Sequence, residues 1–239
     1  MENSTDTQWW LERYGRLGHF MRKVTIESLR NAHEEHANAQ AQITANHSRV
    51  YGPVNFSAQD FFHAALKSRA EVSFERPRPG ASRLPVVNGR AVVFWRYANK
   101  EGVDVLTKTF GTSGHRIAAF NMERTARQEV LDLDIDEDLQ LTAADVAFLE
   151  KMEEVIATEE EEAVYPVTVV AYSSNVSGLY NILCADAKLN NDGTLGLSDI
   201  NSLVTDLREQ PLARSSESKR FDQAPKKQFN LKSKTGNEG

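Results

Sequence analysis

The stretch Arg83–Phe110 constrains the fold more than any other part of the chain, because turn signals and β-rich runs alternate there without interruption. Asn88-Gly89 precedes the apolar run Ala91–Ala98, and Asn99–Gly102 separates that run from Val103–Phe110. Asn-Gly between apolar runs is the strongest short-range signal for a β-hairpin, since both residues tolerate positive φ. The stretch therefore predicts a three-stranded meander at the centre of an antiparallel sheet.

Two glycines and a long uninterrupted run define the helices that we expect before this sheet. Gly15 and Gly18 predict a break in a helix that opens near Trp9, because glycine weakens helices. Nothing interrupts helix from about Phe20 to Ser48, and its thin seam of small and polar residues, which includes His36, predicts packing on a partner helix, in this chain or in another copy. Ser57–Asp60 predicts the N-terminal cap of a second helix that runs to about residue 70.

Alternating and helical periodicities predict the elements that follow the meander. Glu129–Asp138 alternates apolar and acidic residues, which is typical of a half-buried strand with a wet acidic face. Thr142 predicts the cap of a helix near 142–160. The remaining expected elements are a strand at Arg116–Met122, a hairpin formed by Val164–Ser173 and Leu179–Leu189, a turn at Asn190–Gly193, and a helix from Ser198 to about Leu207.

The order of these elements predicts an α+β fold with an N-terminal helical hairpin and a mostly antiparallel sheet of five to seven strands, because helices precede strands instead of alternating with them. One helix, near 142–160, should pack on the sheet. We expect residues 1–7 to be disordered, 8–72 to form a helical region with one long helix, 73–207 to form the sheet domain, and 208–239 to be a disordered basic tail.

Composition indicates an intracellular protein. Of the 239 residues, 40% are hydrophobic and 26% are charged, which is ordinary for a globular domain. The single cysteine, Cys184, cannot form an internal disulfide, which suits a reducing cytoplasm. The N-terminus lacks the basic and apolar regions of a secretory signal, and the apolar run Ala163–Ala171 is too short to span a bilayer. We therefore expect a cytoplasmic location and no membrane partner.

Charge is segregated along the chain although the net charge is only −6. Lys67–Lys100 contains eight basic and two acidic residues, whereas Glu129–Glu162 contains fourteen acidic residues and one lysine. Residues 208–239 return to eight basic against four acidic residues. Regional charge of this kind matters more for the choice of partner than net charge does.

The basic block 67–100 is a candidate binding surface for nucleic acid or for a protein partner. Arginines with interleaved aromatic side chains suit phosphate contact and base stacking, and the basic tail would add affinity that does not depend on sequence. The candidate residues are Arg69, Arg76, Arg78, Arg83, Arg90, Arg96 and Trp95, with Phe74, Phe94 and Tyr97 among them. Alternatively, the block is neutralised by the acidic segment 129–162, in the same subunit or in a neighbour.

The acidic strand is the candidate metal site. Asp132, Asp134 and Asp136 would project three carboxylates from one strand face, about 7 Å apart at a rise of ~3.3 Å per residue. Mg²⁺ prefers such oxygen ligands, so phosphoryl or nucleotidyl transfer or nuclease activity would need Mg²⁺ here. An edge strand whose charges prevent aggregation explains the same residues.

Four further features carry weaker signals for chemistry. His33 and His36 could share a helix face and a zinc ion, but their spacing is not that of the zincin motif. Asn190–Asp199 is similar to part of an EF-hand calcium loop, with Lys188 where a carboxylate is needed. Cys184 is expected to be a structural thiol inside a strand, and His115 follows a turn without an accompanying nucleophile motif.

Our leading functional hypothesis is a non-enzymatic interaction protein without a cofactor, which self-associates through its long helix and its opposed charged regions. The first alternative is a nucleic-acid-binding protein that uses the basic block and the tail. The second alternative is an Mg²⁺-dependent enzyme that uses the three aspartates. No residue pattern in the sequence predicts a catalytic nucleophile.

Overall fold

The structure, a computed structural model, describes residues 4–43, 50–123, 142–145 and 164–203, and these ranges contain four α-helices and six strands. The helices are α1 (Ser4–Tyr14), α2 (Gly18–Ala41), α3 (Val54–Leu66) and α4 (Gly114–Phe120). The strands are β1 (Val72–Glu75), β2 (Leu84–Val87), β3 (Arg90–Ala98), β4 (Val167–Asn175), β5 (Gly178–Leu189) and β6 (Leu195–Ser202). Single 3₁₀ turns occupy Gly15–Leu17 and Val105–Thr107.

The six strands form one sheet in the order β1-β2-β3-β4-β5-β6. Every neighbouring pair is antiparallel except β3 and β4, which run parallel with Val93 opposite Val169. A parallel pair needs a crossover connection, and residues 99–166 provide it. The α+β class with a mostly antiparallel sheet is confirmed.

The first three helices cover one face of the sheet. Trp10, Met21 and Phe62 pack with Phe94 and Tyr172 in one core cluster, and all five are buried. Because successive strand residues point to opposite faces, one alternate set on β3, β4 and β5 belongs to this core. The N-terminal helices and the sheet therefore share a hydrophobic core.

The described first part of the connection between β3 and β4, which includes α4, covers the other face. Trp95 and Val169 pack there with Phe110, Ala119 and neighbouring apolar residues of α4 and the loop before it. The Trp95 and Phe110 rings meet edge to face, with centroids 5.4 Å apart. Both faces of the sheet are thus buried, which accounts for the nearly continuous apolar sequences of β3 and β4.

The two strongest local signals are confirmed. Asn88 and Gly89 have φ values of 48° and 69°, and they connect β2 to β3 as the hairpin prediction requires. Gly15 has a φ of 55° and opens the 3₁₀ turn that separates α1 from α2. The hairpin of β4 and β5 and the turn at Asn190–Gly193 are also confirmed.

Three predicted elements are wrong in type. Val103–Phe110 contains a 3₁₀ turn instead of a third strand, because the Asp104 side chain accepts the Leu106 N–H. Arg116–Met122 was predicted as a strand, but helix α4 covers most of it, because the Ser113 carbonyl accepts the first helical hydrogen bonds.

The segment from Ser198 was predicted as a helix and is part of strand β6. Ser198 pairs with Asp186 on β5, and this pairing overrides the apparent helix cap. Leu195 and Leu197 alternate with polar neighbours, which is the strand signal that the cap obscured. Asp199 has a φ of 48°, close to the point where the register between β5 and β6 shifts.

Helix ends differ from the prediction in detail. α3 begins at Val54 after Pro53, so Ser57 lies inside the helix and is not its cap. α2 ends at Ala41, and α1 begins at Ser4, within the segment 1–7. The Thr142 cap is confirmed, because the Asp145 N–H donates to Thr142 Oγ1 at 3.2 Å while the Thr142 N–H donates to the Asp145 carboxylate.

Candidate functional site

The predicted basic block divides into side chains that serve the fold and side chains that face solvent. Trp95 is buried, so it cannot stack on a base without unfolding β3. The Arg69 guanidinium lies 4.3 Å from the centre of the Phe20 ring, a cation–π contact that holds it against α2. Arg90 and Arg96 are also engaged within the protein.

Arg90 shares the Asp186 carboxylate with Arg13. Arg90 Nη1 donates to Asp186 Oδ1 at 2.8 Å, while Arg13 donates through Nε to Oδ1 and through Nη2 to Oδ2 at 3.1 and 2.8 Å. The Arg13 side chain is only 8% exposed and its guanidinium lies over the Trp9 ring. This cluster joins α1 to β3 and β5, so Arg90 has a structural partner.

Arg96, near the end of β3, contacts β4 and the connection between α2 and α3. Its Nε and Nη2 both donate to the Ser174 carbonyl, at 3.1 and 2.6 Å, and its guanidinium lies 5.1 Å from the centre of the buried Tyr51 ring. A guanidinium that is half-buried and doubly hydrogen-bonded is poorly placed to contact phosphate.

Three arginines of the block remain exposed on one loop. Arg76, Arg78 and Arg83 lie on the connection between β1 and β2, where Glu75 pairs with Leu84. Arg76 follows Glu75 at the end of β1, and Arg83 precedes Leu84 at the start of β2. The two arginines therefore lie side by side at the end of this strand pair. In the described ranges no carboxylate forms an ion pair with any of the three.

Helix α4 extends this basic face. Arg78 Nε donates to His115 Nδ1 at 3.3 Å, and a Cβ on Gly114 would lie 2.7 Å from Arg78 Nη1. Arg78 therefore lies directly against the start of α4, and His115 is exposed beside it. We refer to Arg76, Arg78, Arg83 and His115 as the arginine surface.

The arginine surface lacks the aromatic platform that the sequence predicted for base stacking. Phe94 and Tyr97 are buried with Trp95, and Phe74 is half-buried with its ring 5.3 Å from that of His63. The predicted residues thus supply exposed guanidinium groups without exposed rings.

The other predicted sites are separate from this surface. Asp132, Asp134 and Asp136 lie outside the described residues. Asp192 Oδ1 accepts both the N–H and the hydroxyl of Thr194, and the chain continues into β6 where a calcium loop would enter a helix. Within the described part of the chain no group of three or more metal-ligating side chains is assembled.

The predicted histidine and cysteine candidates have partners or are inaccessible. His33 Nδ1 lies 2.7 Å from the Tyr51 hydroxyl, and His36 Nδ1 lies 2.8 Å from the Val50 carbonyl oxygen. The two rings therefore bind different groups of the α2–α3 connection. Burial raises the pKa of the Cys184 thiol, which keeps it protonated and suits the structural role that the sequence predicted.

One polar pair was missed by sequence reasoning. His36 Nε2 lies 2.7 Å from Ser57 Oγ, which joins α2 to α3. The sequence places His36 in the seam of α2 and Ser57 in a capping pattern, and neither signal connects residues that are 21 positions apart. Only the packing of the two helices brings them together.

A broad cavity of about 780 Å³ lies between α4 and the ends of β4 and β5. Ile117 and Phe120 line it on one side, and Arg90, Asp186 and Lys188 line it on the other. The Asp186 carboxylate on this wall is bound by both Arg90 and Arg13, and the exposed Lys188 adds a positive charge.

Comparison with known proteins found no matching family model, curated protein or solved structure. No helix in the ranges that the structure describes is both long and apolar enough to cross a membrane. The arginine surface is therefore the feature of the described structure that bears most directly on function.

Proposed function

We propose that this protein binds nucleic acid through phosphate contacts of the arginine surface. The observation that supports the proposal is the exposure of Arg76, Arg78 and Arg83 on one loop without a carboxylate partner among the described residues. Guanidinium groups bind phosphate oxygens in a bidentate manner, and such contacts position a protein on a nucleic acid.

Phosphate contact without base stacking predicts binding that depends little on sequence and strongly on salt. Each neutralised phosphate of a duplex contributes a slope of about −0.9 to log K against log salt concentration. Three arginines acting together would contribute a slope of about −2.7. The basic segment 208–239 would add to this value in the full chain.

The test is a binding titration with a fluorescent duplex and a single strand of the same sequence, between about 50 and 200 mM salt. Arg76→Ala, Arg78→Ala and Arg83→Ala combined in the full chain should lower the affinity and reduce the magnitude of the slope by about 2.7. The matched control combines Arg16→Ala, Lys23→Ala and Lys188→Ala, which removes the same formal charge from exposed positions elsewhere.

The comparison of the two triple variants shows whether binding depends on the arginine surface or only on the total positive charge of the protein. A loss of affinity confined to the arginine-surface variant supports the proposal. An equal change in both variants, or no binding by the wild-type protein at the lowest salt concentration, contradicts it. In the second case the basic block is neutralised by protein, as the alternative based on the acidic segment 129–162 predicts.

Self-association and Mg²⁺-dependent catalysis stay predictions from the sequence. The inner face of α2 packs on α1, α3 and the sheet, so self-association through this helix would use its outer face. Light scattering at low and high salt would measure it. Thermal stabilisation by Mg²⁺ that is lost in an Asp132→Ala/Asp134→Ala variant would support the catalytic hypothesis. A cytoplasmic location is part of the same proposal.

A further inference from the structure

His36 and Ser57 have the geometry of a base and a nucleophile. The side chain of Ser57, on the first turns of α3, points at the imidazole of His36 on α2, with 2.7 Å between Oγ and Nε2. The other ring nitrogen, Nδ1, lies 2.8 Å from the Val50 carbonyl oxygen. A hydroxyl in hydrogen-bond reach of a base that is itself oriented by a third group is the diagnostic arrangement for nucleophilic catalysis.

The Val50 carbonyl determines which nitrogen of His36 carries the proton. A carbonyl oxygen can only accept, so His36 Nδ1 must donate to it. In the neutral ring Nε2 is then an acceptor, and the Ser57 hydroxyl must donate its hydrogen to that nitrogen. This direction of the hydrogen bond is the one that draws the proton away from the serine oxygen.

The pair is also accessible to a reactant. Both side chains are half-buried, in contrast to His33, which is buried one turn earlier on the same helix. Phe56, the residue before Ser57 in α3, is 69% exposed, so this turn of the helix lies at the surface of the described structure.

We propose that Ser57 is a nucleophile activated by His36 and that it reacts with activated carboxylic esters. Ser57 Oγ forms a bond to the acyl carbon while its proton passes to His36 Nε2. The ester C–O bond then breaks, and the alkoxide takes that proton and leaves as the alcohol. Water repeats the sequence on the acyl-serine, which releases the carboxylic acid and restores both side chains.

The first test uses the wild-type full chain with a fluorophosphonate probe, whose phosphorus is attacked by an activated serine with loss of fluoride. Intact mass and peptide mapping should show one adduct, on Ser57. Ser68 and Ser82 are exposed serines that bind no histidine within the described ranges, and they provide the internal reference rate. Labelling of Ser57 no faster than these two serines, or no labelling, overturns the proposal without any variant.

The second test separates the base from the helix contact. In His36→Asn the side-chain amide can still donate to the Val50 carbonyl, but no base remains at the position of Nε2. General-base assistance typically accounts for about 10²–10⁴ in rate, so labelling of Ser57 should slow by about 100-fold or more. Release of p-nitrophenolate from p-nitrophenyl acetate should fall with it, and Ser57→Ala should abolish the acetyl-protein.

Circular dichroism and thermal melts of the variants show whether unfolding is the cause of slower labelling. A purely structural pair predicts a lower melting temperature in His36→Asn with an unchanged labelling rate for Ser57. That result would overturn the proposal, whereas a folded His36→Asn protein with slow labelling supports it. Neither result depends on the arginine surface.

Discussion

Asp186 shows that a single carboxylate can give an arginine of the basic block a structural role. Arg90 belongs to the basic block in the sequence, yet its guanidinium is bound by a carboxylate 96 positions later. The block was predictable from composition, but its division into structural and exposed arginines was not, because that division depends on strand pairing across the sheet. The same limit hid the contact between His36 and Ser57.

Replacing Asp186 by asparagine should destabilise the fold by about 1–3 kcal/mol, because Arg13 and Arg90 would lose their shared charged acceptor while Arg13 keeps its ion pairs with Glu12 and Asp199. The value is below that of a fully buried pair since the Asp186 side chain is 23% exposed. Urea denaturation at constant m would measure the change. Glu101→Gln, at an exposed turn position, is the control and should leave the midpoint unchanged.

At the scale of elements, local signals succeed where the backbone conformation itself is special. The turn between β2 and β3 requires positive φ at Asn88 and Gly89, and the Asn-Gly sequence indicates this requirement directly. Periodicity alone does not distinguish a helix from a strand in a short apolar run such as Arg116–Met122. The surrounding structure determines that most of this run is helical. Strand β6 was missed because its pairing with β5 outweighs the cap-like Ser198-Asp199.

Gly18 is predicted to reverse the usual effect of a glycine-to-alanine change in a helix. It has helical backbone angles, so alanine would normally stabilise by about 0.5–1 kcal/mol. A Cβ at this position would lie 2.8 Å from backbone atoms of Trp10 and Leu11 in α1. Gly18→Ala should therefore destabilise by about 1–3 kcal/mol through overpacking, measured as a lower urea midpoint.

Gly196→Ala is the matched control for this prediction. Gly196 is exposed in β6, and the nearest atom to its Cβ position, the Lys188 carbonyl oxygen, is 3.8 Å away. Ordinary contact predicts a midpoint equal to or slightly above that of the wild-type protein. If Gly18→Ala behaved like Gly196→Ala, the close approach of α1 and α2 would be wrong.

At the scale of the whole molecule, the class of fold was predictable and the connection of its layers was not. The sequence predicted helices first and a mostly antiparallel sheet, which the structure has. The parallel pairing of β3 with β4 was not foreseen, because 68 residues separate the end of one strand from the start of the other. No local sequence feature of either strand determines which strand it pairs with when the two are so far apart along the chain.

The stability of the molecule should depend on pH through His33, which is buried, and His63, which is half-buried. Burial lowers the pKa of His33 between α2 and Tyr51. Burial also lowers the pKa of His63 on α3, an effect that Asp60 partly opposes. Both folded-state values therefore lie below the unfolded value of about 6.5.

The sign of the pH effect follows from proton uptake by the unfolded chain. At a pH well above their unfolded pKa of about 6.5 these histidines are neutral in both states, so they contribute little pH dependence. Below it the unfolded state binds protons that the folded state excludes, so the free energy of unfolding should fall as the pH decreases towards about 5. Carboxylates titrate lower, near pH 4, which keeps the two effects apart.

Urea titrations between pH about 5 and 7.5 would measure this slope. His33→Phe keeps an aromatic ring against Tyr51 and removes the titrating group, so its stability should depend less steeply on pH, with His63 responsible for the remainder. Lys23→Ala, at an exposed position of the same helix, should retain the wild-type slope. An unchanged slope in His33→Phe would mean that His33 takes up its proton without leaving its site, and that Tyr51 is packed less tightly against it than the structure shows.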